Sequence, residues 1–114
     1  MRRLPKTDNN PIYKLEEPDR NGSMVIHLDH PNAKGYSIIN IFQCRIYMII
    51  VTLKRQRYGS GLLTISESEL KKNGCEQVYL QSLHDATSFY EYNGYHKDSE
   101  TSLSLKLVNY KKHL

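Results

Sequence analysis

Asp85-Ala86-Thr87-Ser88-Phe89-Tyr90-Glu91-Tyr92-Asn93-Gly94-Tyr95 is the stretch on which the fold turns. Its pattern predicts a short helix. Asp85 stands where an N-cap belongs, and Ala86, Phe89, Tyr90 and Asn93 share one face at the 3.6-residue period. Gly94 supplies the C-terminal stop. On its N-terminal side, Gln77 to Gln81 alternates with Val78 and Leu80 on one face, as in a strand. On the other side, Leu103, Leu105 and Leu107 alternate with Ser104 and Lys106, which predicts a last strand.

Further upstream the period changes twice. From Ser60 to Asn73 the apolar residues Leu62, Leu63, Ile65 and Leu70 form a helical stripe, with Glu67 and Lys71 as an i,i+4 pair and Gly74 as the stop. Ile46 to Val51 is a nearly continuous β-branched and aromatic run, expected of a strand covered on both faces. Met24 to Leu28 alternates, the turn-rich Asp29 to Gly35 follows, and Tyr36 to Phe42 completes a predicted hairpin. Residues 1 to 22 hold three of the four prolines and read as an irregular arm, with a short strand at Ile12 to Leu15. The expected order is strand, strand, strand, helix, strand, helix, strand. That is an α+β or mixed α/β domain over 23–114 behind an arm over 1–22, with a parallel crossover between residues 46 and 81.

The composition fits one folded domain, with 39% hydrophobic and 25% charged residues in 114. The longest apolar-rich stretch, Ile46 to Leu53, is far short of the roughly 20 residues that span a bilayer, so no membrane segment is expected. The start, Met1-Arg2-Arg3-Leu4-Pro5-Lys6, lacks the apolar run of a signal peptide. Cys44 and Cys75 follow no metal or redox spacing and are expected as reduced thiols, which together point to the cytoplasm. His27 and His30 share a turn-rich stretch with no further ligand in register, so no metal site is expected. The net charge of +4 is concentrated where Lys54, Arg55 and Arg57 follow the apolar run.

That basic cluster opens Lys54-Arg55-Gln56-Arg57-Tyr58-Gly59-Ser60-Gly61-Leu62-Leu63, which joins a strand to a helix. Unpaired backbone amides and the helix dipole favour an anion at such a place, glycines admit a ligand close to the backbone, and Lys and Arg add full charges. A pyrophosphate suits it; so does a basic turn whose glycines serve geometry alone.

Residues 86–95 resemble the A-x-x-F-Y-E-x-x-G-[FY] signature of the GNAT N-acetyltransferase superfamily. The preceding loop resembles the family's [QR]-x-x-G-x-[GA] segment, which holds the coenzyme A pyrophosphate. Gln56 to Gly61 fits those letters fully. Lys54 to Gly59 fits the helix better, because Ser60-Gly61-Leu62-Leu63 then resembles the usual helix start, and it is the preferred register. It departs twice: Lys54 replaces Arg or Gln, and Arg57 replaces a glycine. The resemblance covers residues 24 to 107 and implies a mixed, mostly antiparallel GNAT-like sheet without the usual N-terminal helices. It implies acetyl-coenzyme A as co-substrate, an amine of a small molecule or protein as acceptor, and no metal cofactor. It assigns cofactor binding to Ile49, Val51, Lys54, Arg55, Gln56, Arg57, Tyr58, Gly59 and Ser60, with pantetheine pairing to the backbone at Ile49 and Val51. It assigns the general acid to Tyr90; Phe89 is expected in the core.

No carboxylate stands on Arg45 to Val51, where family members often carry the general base; His84, His27 and Asp29 are candidates by residue type. Leu83 stands where relatives carry a coenzyme-contacting Asn. Without the N-terminal helices, the acceptor side is open to a protein amine, closed by the partner of a homodimer, or degenerate; alternatively the arm itself forms the first strand. The rival reading is a noncatalytic module binding coenzyme A, or nucleic acid through the Lys54 to Arg57 cluster. Nucleic acid is the less favoured, since only one basic loop is visible.

Overall fold

The structure, a computed structural model, describes residues 2–3, 12–31, 33–52, 56–98 and 107–114, of which 2, 3, 12, 56 and 57 as backbone alone. Among the described residues eight strands form one sheet: β1 (Arg2–Arg3), β2 (Ile12–Leu15), β3 (Ser23–His30), β4 (Ala33–Asn40), β5 (Arg45–Val51), β6 (Gln77–Leu83), β7 (His96–Lys97) and β8 (Leu107–His113). Their spatial order is β1-β2-β3-β4-β5-β6-β8-β7. Only β5 and β6 are parallel, joined through α1 (Gln56–Lys72); every other pair is antiparallel. A one-turn 3-10 helix (His84–Ala86) leads into α2 (Thr87–Tyr92). The sheet is mixed and mostly antiparallel with two helices, as expected.

The period-2 pattern explains the hairpins. On β3, Met24, Ile26 and Leu28 are buried, and the register sets them opposite Ile39, Ser37 and Gly35 of β4. The turn is tighter than the expected Asp29 to Gly35. Asp29 and Lys34 pair across the ladder, and both strands run on to His30 and Ala33, because Lys34 bonds Asp29 from the neighbouring strand. Leu15 of β2 is buried on the same face, so the short strand expected at Ile12 to Leu15 joins the sheet, and β1 adds a second strand to a segment otherwise read as an irregular arm.

Helix α1 seals that face with Leu62, Leu63 and Leu70, all essentially inaccessible, each worth about 1.5–3 kcal/mol of burial. Ser66 donates to the Leu62 carbonyl at 2.8 Å and lies 2.8 Å from the Ser37 hydroxyl, so the polar atoms at this contact are satisfied. Gly74 ends the helix at φ +93°, the left-handed conformation that favours glycine. The expected Glu67–Lys71 pair gives way to a tertiary one: Glu67 takes Lys112 at 3.1 Å and the Tyr95 hydroxyl at 2.8 Å.

Three further expectations are corrected. Strand β5 is covered on one face only: Tyr47, Met48 and Ile50 are 48%, 44% and 43% exposed, because both helices lie on the other side of the sheet. Asp85 does not cap α2; the 3-10 turn intervenes, and Ala86 precedes the helix without a side-chain cap. Cys44 and Cys75 are not free thiols but form a disulfide, with Cα atoms 5.6 Å apart. Cys44 immediately precedes β5 and Cys75 lies just before β6, so parallel pairing brings together residues 31 apart in sequence. Of the last strand, Leu103 and Leu105 lie outside the described residues, and β8 runs onward from Leu107.

Candidate active site

The site grows from one irregularity. Between β4 and β5 the register shifts: Ile38 pairs with Met48 but Ile39 with Ile46, leaving Tyr47 as an extra, bulged residue. A bulge bends its strand. On the other side of β5, pairing with β6 is confined to Arg45↔Tyr79 and Ile46↔Leu80. Beyond these two pairs the strands part, so Tyr47 to Val51 faces Gln81 to Leu83 across a fork. Strand β4 holds β5 along its whole length, and past its end the Thr52 amide donates to Lys34 O at 2.8 Å.

The open end of the fork faces a helix start. β5 ends at Val51 and α1 begins at Gln56, so the first-turn amides of α1 lie at the carboxyl ends of two parallel strands. Ligands of open α/β sheets bind outside such strand ends. Gln56 to Gly59 thus belong to the helix rather than to a loop, which begins four residues earlier than the Ser60 stripe suggests.

The sequence-assigned residues fall into three groups. Ile49 and Val51 lie on β5 beyond the last β6 pair, their side chains half-buried against the core. Lys54 and Arg55 lie outside the described residues, and Gln56 and Arg57 are described as helical backbone alone. Tyr58, Gly59 and Ser60 are visible in full. Tyr58 is a core residue, its ring 5.1 Å from that of His30. At Gly59 a Cβ would stand 3.1 Å from the Phe89 ring, so this glycine lets α2 pack against the first turn of α1. A Cβ at Gly61 would collide with the Tyr13 hydroxyl. The glycines therefore have packing duties as well. Ser60 Oγ is buried with no partner among the described residues.

The signature on α2 is spent mostly on holding that helix. Phe89 covers Gly59. The Tyr110 hydroxyl donates to Glu91 at 2.7 Å. Gly94 takes φ +91°, closing the turn, and the Tyr95 amide bonds Tyr90 O at 3.0 Å. Tyr95, 2% exposed, donates to Glu67 of α1, while Lys112 of β8 reaches both Glu67 and Asn93 O at 2.9 Å. Burial, with Glu67 beside it, pushes the Tyr95 phenol far above the ordinary tyrosine range. Glu67, Tyr110 and Lys112 were not singled out from sequence as positioning residues, since nothing local marks partners 19 to 45 positions apart.

Held in this frame, Tyr90 packs its ring against Phe89, Tyr95 and Tyr110 with centroids 5.0, 5.9 and 6.5 Å away. It is one ring removed from the first turn of α1. Burial raises its pKa above the usual phenol value, so it keeps its proton through neutral pH.

The base candidates lie apart. His27 and Asp29 point to the helix-free face of β3, where His27 Nε2 lies 2.5 Å from Glu16. Asp29 is held down to about 2 by hydrogen bonds from Lys34 and Lys14, which makes it a poor proton acceptor near neutrality. His84 sits exposed in the 3-10 turn, and Leu83 is 56% exposed. Among the described residues no group of three His, Cys, Asp or Glu could hold a metal ion, and no helix is long and apolar enough to cross a membrane.

Neither a family model nor a curated protein matches the sequence. Solved structures do match the fold. A protein assigned to the GNAT acetyltransferase family from Desulfovibrio desulfuricans superposes with TM-score 0.70 at 14% identity, over 81% of this chain and 69% of its own. A Bacillus subtilis acetyltransferase in complex with CoA gives 0.72 at 10% identity, over 92% and 99%. A GNAT family acetyltransferase from Elizabethkingia anophelis with acetyl-CoA bound gives 0.66 at 12% identity, over 82% and 77%. At these identities the likeness is one of backbone architecture, and it extends across nearly the full length of the Bacillus protein. The chain has the fold of the GNAT N-acetyltransferases.

Proposed function

We propose that this chain binds acetyl-coenzyme A in the β5–β6 fork and transfers its acetyl group to an amine. The observation that carries the reading is the fork itself, which opens at the first turn of α1 in a fold whose solved examples include structures holding CoA and acetyl-CoA. The chain's groups suit the ligand. First-turn amides and the Ser60 hydroxyl, which has no partner among the described residues, offer donors to an anion, and Lys54, Arg55 and Arg57 add charge nearby in sequence. The β6-facing edge of β5 at Ile49 and Val51 offers backbone groups to the amide-bearing arm. The start of α1 at Gln56 supports the Lys54–Gly59 register, since the alternative would lie wholly inside the helix.

Acetyl-CoA supplies an activated thioester; the chain supplies position and a proton. Tyr90 is the proposed general acid. A phenol raised by burial is a reluctant but always loaded donor, fit to hydrogen-bond a developing thiolate whose conjugate acid lies near 8–9. The acceptor is an amine of a small molecule or a protein, approaching from the helix-free face. A depression of about 560 Å³ lies there, lined by His27, Tyr36, Ile50 and Thr52 among others.

Residues 23–114 form the proposed coenzyme-binding unit, with β1 and β2 extending its sheet. Tyr47, Met48, Ile50 and Tyr79 expose a continuous apolar patch on the helix-free face, which supports a homodimer. The proposed compartment is the cytoplasm, where a disulfide is a redox-responsive bond rather than a permanent one.

Calorimetry with coenzyme A, followed by thiol release against a panel of amines and peptides, tests the reading. Binding that weakens with salt and turnover with at least one amine are expected. Absence of binding removes the coenzyme site; binding without turnover on any amine leaves a noncatalytic module.

A further inference from the structure

The two arms of the fork are tied at their vertex. Cys44 stands one residue before β5, and its carbonyl accepts the Tyr79 amide at 2.9 Å. The only two β5–β6 pairs, Arg45↔Tyr79 and Ile46↔Leu80, follow at once. Cys75, 4% exposed, lies two residues before β6, and its amide bonds the Leu70 carbonyl in the last turns of α1. The disulfide therefore joins β5, β6 and the C-terminal end of the helix whose N-terminal end stands at the fork's mouth.

Nothing else at the vertex is as strong. Two register pairs make a short parallel ladder, and Cys44 itself sits at φ +54°, a left-handed conformation that non-glycine residues seldom adopt. The cross-link offsets both weaknesses by fixing Cys44 against the opposite arm. The β3–β4 hairpin, paired along eight residues of each strand, has no such need.

We infer that Cys44–Cys75 is a redox-sensitive clamp that sets the opening of the β5–β6 fork, so that its reduction weakens coenzyme A binding. The cysteines act as positioning residues and take no part in acyl transfer. This rests on the fork being the coenzyme site. The step needs a thiol reductant. A thiolate of a dithiol attacks Sγ of the half-buried Cys44, the S–S bond breaks, and Cys75 leaves as a thiolate that takes up a proton. The second thiol of the reductant resolves the mixed disulfide, frees Cys44 as a thiol, and leaves as a cyclic disulfide. Two electrons and two protons pass to the protein.

The test uses the full chain purified without reductant. Thiols counted in denaturant should number zero before dithiothreitol and two after it. Amide hydrogen exchange, read on the folded protein in both states, should quicken at Tyr79, whose amide donates to Cys44 O, by tenfold or more on reduction, with Ile39, whose amide faces β3, unmoved. The coenzyme A dissociation constant should rise at least threefold, and Cys44→Ser should reproduce both effects without reductant. Two free thiols in the unreduced protein overturn the proposal. So does an exchange increase spread evenly over Tyr79 and Ile39, which marks general stabilisation only, or an affinity equal in the two states. If coenzyme A binds neither state while Tyr79 exchange still responds selectively, the clamp stands and the coenzyme reading falls.

Discussion

The β3–β4 hairpin and the β5–β6 pair are built from similar apolar strands, yet one is laced along eight positions and the other along two. The difference lies in what each strand has beside it. β3 alternates cleanly, is joined to β4 by a tight turn and shares one covered face with it, so every residue pair adds to stability. β5 carries a bulge at Tyr47 and reaches its parallel neighbour only through a helix, so its pairing is short and its far end is left open. Stability is concentrated where pairing is complete, and ligand-binding capacity where it is not. The cost of the second region is met locally, by a disulfide at the vertex and by the Glu67–Lys112–Tyr95 contacts behind α2.

The sharpest way to break this contrast is to empty the paired half. Ile26→Ala removes a side chain with no solvent exposure and should cost about 2–5 kcal/mol in urea unfolding. Ile50→Ala, on the helix-free face of β5, should stay within about 1 kcal/mol in protein diluted to the monomer, and cost more where the proposed dimer covers this face. A large loss at Ile50 would mean that this face is covered in solution, and sedimentation would then show a species above 13.3 kDa.

The second probe is chemical. Tyr90→Phe keeps the ring and its contacts to Phe89, Tyr95 and Tyr110, so stability and coenzyme affinity should hold while turnover falls about 10²-fold, or about 2.7 kcal/mol. Because burial raises this phenol, the unmodified protein should show no alkaline loss of rate from Tyr90 below about pH 10. Intact turnover in Tyr90→Phe would reduce the residue to a packing tyrosine.

Lys112→Met sharpens the account of how the forked half is held. It leaves Glu67, whose side chain is 12% exposed, with Tyr95 as partner and frees Asn93 O. A loss of about 1–2 kcal/mol is expected, seen as a fall of several degrees in Tm. No change would mean that β8 does not secure α2.

The smallest effect belongs to the paired half's surface. Asp29 is lowered to about 2 from an ordinary 3.8 by Lys34 and Lys14. A depressed carboxylate adds stability above its unfolded value, and that contribution is lost as pH falls through about 2. Asp29→Asn should remove this component, so the stability of the variant should fall less steeply between pH 4 and 2. Asp29 is partly exposed, so solvent screens the pairs and the difference should be slight.

Local pattern carried much of this protein's architecture. The switch from period 2 at Met24–Leu28 to period 3.6 at Leu62–Leu70 announced hairpin and helix, Gly74 and Gly94 marked both helix ends, and residues 86–95 resembled a known signature. Such features are readable because backbone geometry repeats over a few residues and each side chain reports its own exposure. The start of α1 was hidden, since Gln56 to Gly59 carries none of the apolar stripe. So was the bare face of β5, because an apolar run looks the same whether one face is covered or two.

What only the tertiary structure decided are relations between distant residues. The Tyr47 bulge exists through β4, Glu67 chose Lys112 over its helix neighbour Lys71, and Cys44 met Cys75 because a parallel crossover placed two loops side by side. Sequence records the identity of such partners but not their approach, which depends on how a helix crosses a sheet. Gly59 shows both sides of this. Its position suggested close contact with a ligand, and folding revealed that the ring of Phe89 stands there as well.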